Sequence, residues 1–168
     1  MLQNFIIDES VVRSKSVLDA IKRDPTGETW VVIGERSLVT NAHTFIHQNL
    51  MDGKITDLQH HLLCKKSFDF FDILTRDYDL VPCGVLLDDE VGSCLTRIQR
   101  RNRAGEEGID ESYLVGLIER YRHLYDPEND QLNFSKTVIS LSSFYEGDTD
   151  RIDLNRLTSA ILDFVRIK

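Results

Sequence analysis

The sequence predicts an α/β fold built on a parallel sheet, with helices on both faces. Three observations lead there. Short apolar runs rich in β-branched residues recur along the chain, longer stretches with apolar residues at helical spacing separate them, and turn signals mark most junctions. No internal repeat and no low-complexity linker interrupts the pattern, so the expectation is one domain over residues 1–168.

Taken in order, Leu2 to Lys22 has helical spacing and stops at Asp24-Pro25-Thr26-Gly27, a turn signal. Trp30-Val31-Val32-Ile33 reads as a buried strand ending at Gly34. Ser37 caps a helix expected to run to about Leu50, with Asp52-Gly53 as its stop. Thr56 to about Thr75 is the next helix. Leu80 to Leu87 is a second strand, and Asp88-Asp89-Glu90 places acids on the first turn of the helix that follows. That helix is expected to continue through Arg97–Arg103 until Gly105 releases it. Glu111 to Tyr125 is helical, Asp126-Pro127 ends it, Thr137 to Leu141 is a third strand, and Asp150 to Ile167 is a closing amphipathic helix.

Composition narrows the function. A formal net charge of −8 argues against nonspecific binding to nucleic acid or to an anionic membrane. The three cysteines form no Cys-x-x-Cys, so neither a disulfide framework nor a zinc site is expected. No apolar run is long enough for a membrane span, and Met1 to Ile7 does not read as a signal peptide. The expected location is cytoplasmic. His43, His47, His60 and His61 read as helix-surface residues rather than a catalytic or metal cluster.

Against the acidic background stands a basic segment, Arg97-Ile98-Gln99-Arg100-Arg101-Asn102-Arg103-Ala104-Gly105-Glu106-Glu107. At helical spacing Arg97 and Arg101 share a face, with Arg100 and Arg103 beside it. Guanidinium groups hold phosphate oxygens through paired hydrogen bonds and stabilise charge on a transferring phosphoryl group. A solvated, arginine-rich helix face is the other reading of the same residues. A second feature is Val31-Val32-Ile33-Gly34-Glu35-Arg36-Ser37, a charged pair directly after a predicted strand. Carboxyl ends of parallel strands are where such sheets bind ligands.

Together, in this order, these segments resemble the deoxynucleoside kinase family, which includes the cellular enzymes and the herpes-type thymidine kinases. Glu35-Arg36-Ser37 looks like the family's Glu/Asp-Arg-Ser motif. Arg97, Arg101 and Arg103 fall where its lid arginines fall, and Arg103-Ala104-Gly105-Glu106 is similar to the herpes-type Arg-Pro-Gly-Glu. Leu2-Gln3-Asn4-Phe5 looks like the helix whose glutamine pairs with the nucleobase, and Phe144-Tyr145-Glu146-Gly147-Asp148 resembles the loop over the ATP adenine.

The resemblance implies a P-loop kinase-like three-layer sandwich and transfer of the ATP γ-phosphate to the 5′-hydroxyl of a deoxynucleoside, with ATP and Mg²⁺ as cofactors. Arg36 would hold the 5′-oxygen, and Glu35 would lie by the magnesium ion. Glu106 would accept from the sugar 3′-hydroxyl, and Arg97, Arg101 and Arg103 would clamp the ATP phosphates. Gln3 would contact the base, Asn41 sits where the family varies base choice, and Glu146 and Asp148 would lie by the adenine. Glu106 as a cap of the next helix, Gln3 as a solvated terminal residue and Asn41 as a surface residue are the competing readings. Dimerisation through helices like 37–50 and 56–75 is implied as well.

The departure is a missing phosphate cradle. Gly-x-x-x-x-Gly-Lys-Ser/Thr does not occur, since Gly53-Lys54 is followed by Ile55 and Gln48 stands where the first glycine would be. The expectation is a chain lacking the first strands of the family fold, including the strand that carries the P-loop. Strands 30–34 and 81–87 would then keep unpaired inner edges. The alternatives are a non-catalytic nucleoside-binding protein, one that pairs with a full-length kinase, or a relative of the nucleoside monophosphate kinases.

Overall fold

In the computed structural model the described residues are 2–106, 108–145 and 151–166, and side chains are described from residue 4 onward. The chain divides into two compact units, residues 1–81 and 82–168.

The first unit is helical. Helix α1 spans Leu2–Lys22, as its spacing predicts. Ile7, Val11 and Leu18 project from one side of α1 into the core, which they share with Leu38, Ala42, Ile46 and Leu74. Ser37 caps α2 (Leu38–Asn41) by accepting from the Thr40 amide at 3.0 Å. The predicted single helix 37–50 is broken into three pieces. A π-helical turn, Ala42–Ile46, separates α2 from α3 (His47–Met51). Within it the Thr44 hydroxyl donates to the Thr40 carbonyl at 2.6 Å, so a side chain competes for an acceptor that a regular helix gives to its backbone. Gly53, with φ +65°, closes the segment as expected. Helix α4 (Asp57–Asp77) begins with a capping box between Thr56 and Gln59.

The predicted strand 30–34 does not form. Residues 28–34 form no regular element and are exposed, with Trp30, Val31 and Val32 about half exposed and Ile33 79% exposed. Residues of this type make strands only where a neighbouring strand takes up their amides and carbonyls, and this unit has no strand among its described residues.

The second unit holds the sheet. Strands β1 (Cys83–Asp88) and β2 (Ser135–Ser140) run parallel, in register from Cys83 opposite Ser135 to Asp88 opposite Ser140. The crossover between them carries α5 (Val91–Arg101) and α6 (Glu111–Tyr125). Parallel pairing bears out the predicted topology for two of the three strands. Leu114, Leu117, Leu124 and Tyr125 of α6 are buried, and Tyr125 and Phe134 crowd Gly84 on β1. After β2 a short 3-10 turn, Leu141–Phe144, precedes α7 (Leu154–Arg166).

Two boundaries differ from the sequence reading in ways that move site residues. The acids before α5 are not in its first turn: Asp88 closes β1, Asp89 is buried, and Glu90 is the N-cap. At its other end α5 stops at Arg101, because Asn102 takes the left-handed conformation (φ 45°) and returns its amide to the Ile98 carbonyl. Arg103 therefore lies beyond the helix rather than on its face.

Candidate functional site

Glu35, Arg36 and Asn41 line one open cleft of the first unit, about 270 Å³ in volume. That is near the lower end for ligand pockets, ~300 Å³. One wall is α1, through Ile6, Glu9, Ser10 and Arg13; the other is Ser37, Leu38, Asn41 and Phe45, together with the Glu35–Arg36 pair. Spacings of three and four place the four α1 residues on one stripe, which explains how a single helix supplies a whole wall.

Arg36 adopts φ +61°, a left-handed conformation unfavourable for a residue with a Cβ. Such backbone concentrates at binding sites. Its guanidinium lies 4.6 Å from the centre of the Phe45 ring, and its Nε stands 3.6 Å from Glu35. Glu35 itself is largely exposed. Across the cleft, Arg13 donates to Glu9 at 2.5 Å.

Asn41 is the residue whose environment says most. It is 9% exposed and so is not the surface residue of the competing reading, and its backbone amide bonds the Ser37 carbonyl. Its side-chain amide has no hydrogen-bond partner among the described residues. Although the residue is mostly covered, its amide is not among the buried polar atoms that lack a partner, so it meets the open cleft and is available to a ligand there.

The arginines of the second unit are placed quite differently from one another. Arg97 is held in a closed triangle: its Nη2 donates to Asp89 Oδ2 at 2.5 Å, its Nη1 donates to the Tyr145 hydroxyl at 3.0 Å, and that hydroxyl donates to Asp89 Oδ2 at 2.5 Å. The Glu90 amide serves Asp89 Oδ1 at 2.8 Å. Burial pushes the Asp89 carboxyl up, but the bonds from Tyr145, Glu90 and Arg97 outweigh it and hold the group below its ordinary range. Burial alone would lower Arg97; its bonds to Asp89, Cys94 and Tyr145 raise it instead. The bond to Asp89 pushes the Tyr145 phenol up.

Asp89 was not legible as a site residue, and Tyr145 was read only as part of the segment that resembles the adenine loop. The signal that finds them is topological: each follows the carboxyl end of one of two paired parallel strands, so the ladder brings them together. Arg101 makes a fork onto Glu106, with Nη2 to Oε1 at 2.6 Å and Nε to Oε2 at 3.2 Å. Glu106 does not cap α6; Asp110 does, accepting from the Tyr113 amide at 2.8 Å. Arg103 is exposed in the turn after α5.

Gln3 lies in α1, its side chain outside the described set, and Glu146 and Asp148 lie outside the described residues altogether. His43, His47 and His60 are half-buried rather than on the surface: His43, in the π turn, lies 5.4 Å from the Phe68 ring of α4, and His47 of α3 meets His60 of α4 edge-to-face at 5.5 Å. No group of three histidine, cysteine or acidic side chains among the described residues could hold a metal ion. Glu35, paired with Arg36, therefore makes no protein cage for Mg²⁺, an ion that usually relies on one or two carboxylates plus substrate phosphates.

Residues 1–165 match the deoxynucleoside kinase family. The chain belongs to the deoxynucleoside kinase family. No curated protein matches it. Membership implies a P-loop kinase-like fold, of which the two-stranded parallel sheet and its crossover helices are the part formed here. It also makes deoxynucleosides and ATP the substrates to consider, for a kinase-like function in general. No helix among the described residues is long and apolar enough to cross a membrane.

Proposed function

We propose that this member of the family binds a deoxynucleoside in the α1–α2 cleft and takes part in ATP-dependent phosphorylation of its 5′-hydroxyl. The observation that supports it is the side-chain amide of Asn41, bonded to nothing among the described residues and left open to a cleft that also holds Arg36. An amide offers adjacent donor and acceptor groups, the pattern of a nucleobase edge, and a guanidinium suits the oxygen that accepts the phosphoryl group. Arg36 holds the 5′-oxygen, Asn41 and Gln3 meet the base, and Glu35 orients water or Mg²⁺ brought in with the nucleotide. Arg97, Arg101 and Arg103 serve the donor phosphates, Glu106 the sugar hydroxyl, and Glu146 and Asp148 the adenine. Metal and nucleotide supply charge neutralisation of the moving phosphoryl group; the chain's own residues bind and orient.

A second reading is nucleoside binding without transfer, since the cleft of the first unit bears on the nucleoside alone. Thermal unfolding with each deoxynucleoside and with ATP tests both, because a ligand of the native state raises the midpoint by mass action. A rise with a deoxynucleoside, together with transfer of label from ATP, supports the kinase. A rise without transfer supports the second reading. No rise with any deoxynucleoside removes both.

A further inference from the structure

We infer that Asp89 and Tyr145 are positioning residues that aim Arg97 at the phosphates of the donor nucleotide. The inference rests on the proposed role of Arg97 but goes beyond it, since the sequence reading gave neither Asp89 nor Tyr145 a role at the phosphates.

The argument starts from cost. Asp89 is a carboxylate whose side chain is 3% exposed, at the end of a strand of the sheet. Burying an ionised carboxylate is unfavourable unless charge and hydrogen bonds compensate it, and a smaller apolar residue would fill the position more cheaply. Here the compensation is complete: Oδ1 takes the Glu90 amide, and Oδ2 takes both the Tyr145 hydroxyl and Arg97. Two bonds of the triangle end on one guanidinium and fix its plane, and the third ties their two acceptors together. Tyr145 adds a second point of contact, so rotation of Arg97 about its terminal bonds breaks one bond or the other.

Arg97 nonetheless remains 34% exposed along its side chain, so part of it faces solvent while the rest is clamped. Cys94, one turn earlier on α5, accepts from Nη2 at 3.5 Å and closes the inner side. A cation held by a buried carboxylate and presented at the carboxyl ends of parallel strands is preorganised for an anion, because it loses little side-chain freedom on binding. By contrast, Arg103 stands in an exposed turn, and Arg101 is held, among the described residues, by Glu106 on the neighbouring turn. The chemical class of ligand is a nucleoside triphosphate or its polyphosphate moiety.

The test is calorimetric titration of the full chain with ATP and, separately, with adenosine, which lacks the phosphates. The variants are Arg97→Ala, Asp89→Asn, Asp89→Glu and Tyr145→Phe, each checked for a cooperative unfolding transition. Tyr145→Phe removes a single hydroxyl and keeps the experiment decisive if the Asp89 variants fail to fold. The expected result is an ATP affinity about tenfold lower for Arg97→Ala and about three- to tenfold lower for Asp89→Asn and Tyr145→Phe, on the order of one charge-assisted hydrogen bond. Adenosine affinity stays unchanged, and Asp89→Glu recovers part of the loss. If Arg97→Ala binds ATP like the wild type, or the wild type binds none, the phosphate role of Arg97 falls and the inference with it. Where Arg97→Ala weakens ATP but Tyr145→Phe and a folded Asp89→Asn do not, only the inference falls. An equal loss of adenosine, or tighter ATP binding in Asp89→Asn, also overturns it.

Discussion

Arg101 and Glu106 face each other across the turn that ends α5, joined by two hydrogen bonds of 2.6 and 3.2 Å. The sequence reading sends one to the donor phosphates and the other to the sugar hydroxyl, yet the two side chains occupy each other. Glu106→Gln removes the competing charge. The expected outcome is a few-fold gain in affinity for inorganic pyrophosphate and a loss for the deoxynucleoside, read by titrating each separately. The half-exposed pair contributes at most about 1 kcal/mol to folding, so the unfolding midpoint stays nearly unchanged.

Asn41 makes a complementary prediction. Its side chain bonds nothing among the described residues, so Asn41→Ala costs the ligand-free fold no more than about 1 kcal/mol. The deoxynucleoside-induced rise in unfolding midpoint is lost. A fall in ligand-free stability of several kcal/mol would mean the amide serves the fold instead.

Gly84 is a matter of space. A Cβ there would stand 2.9 Å from a ring carbon of Phe134 and 3.0 Å from the Tyr125 hydroxyl. Gly84→Ala is expected to cost about 1–3 kcal/mol, the usual range for overpacking, measured as a shift in urea midpoint.

Tyr125 gives a pH dependence. Burial, with a smaller contribution from Tyr121, pushes its phenol up to about 12, against an ordinary 10.0. The folded state thus holds the proton more tightly than the unfolded chain. Its contribution is fully present below about pH 10 and is lost as pH rises towards 12. Urea midpoints across this alkaline range should fall for the parent and fall less steeply for Tyr125→Phe.

What could be read from the sequence was what local chemistry decides. The cap at Ser37, the start of α4 near Thr56, the limits of α1 and α6, and the parallel order of β1 and β2 follow from residue type and spacing within a few turns. Trp30 to Ile33 misled because strand propensity describes fit to a sheet and cannot supply a neighbour. Arg103 was misplaced because Asn102 accepts a left-handed backbone three residues before the glycine expected to do so. The Asp89–Tyr145 bond joins positions 56 apart, and no local pattern marks an acid for burial.

The π turn at Ala42–Ile46 constrains the length of this wall of the cleft. A π turn takes up one residue more than the helix around it, and one helical residue corresponds to a rotation of about 100°. Asn41 precedes the turn and borders the cleft; Ile46 ends it and lies fully buried in the core. Deleting a single residue between them would restore a regular helix and swing one of the two off its target. Insertions and deletions here are therefore expected to be rejected, while single substitutions that keep the length are tolerated. The extra residue sets the phase between binding wall and core.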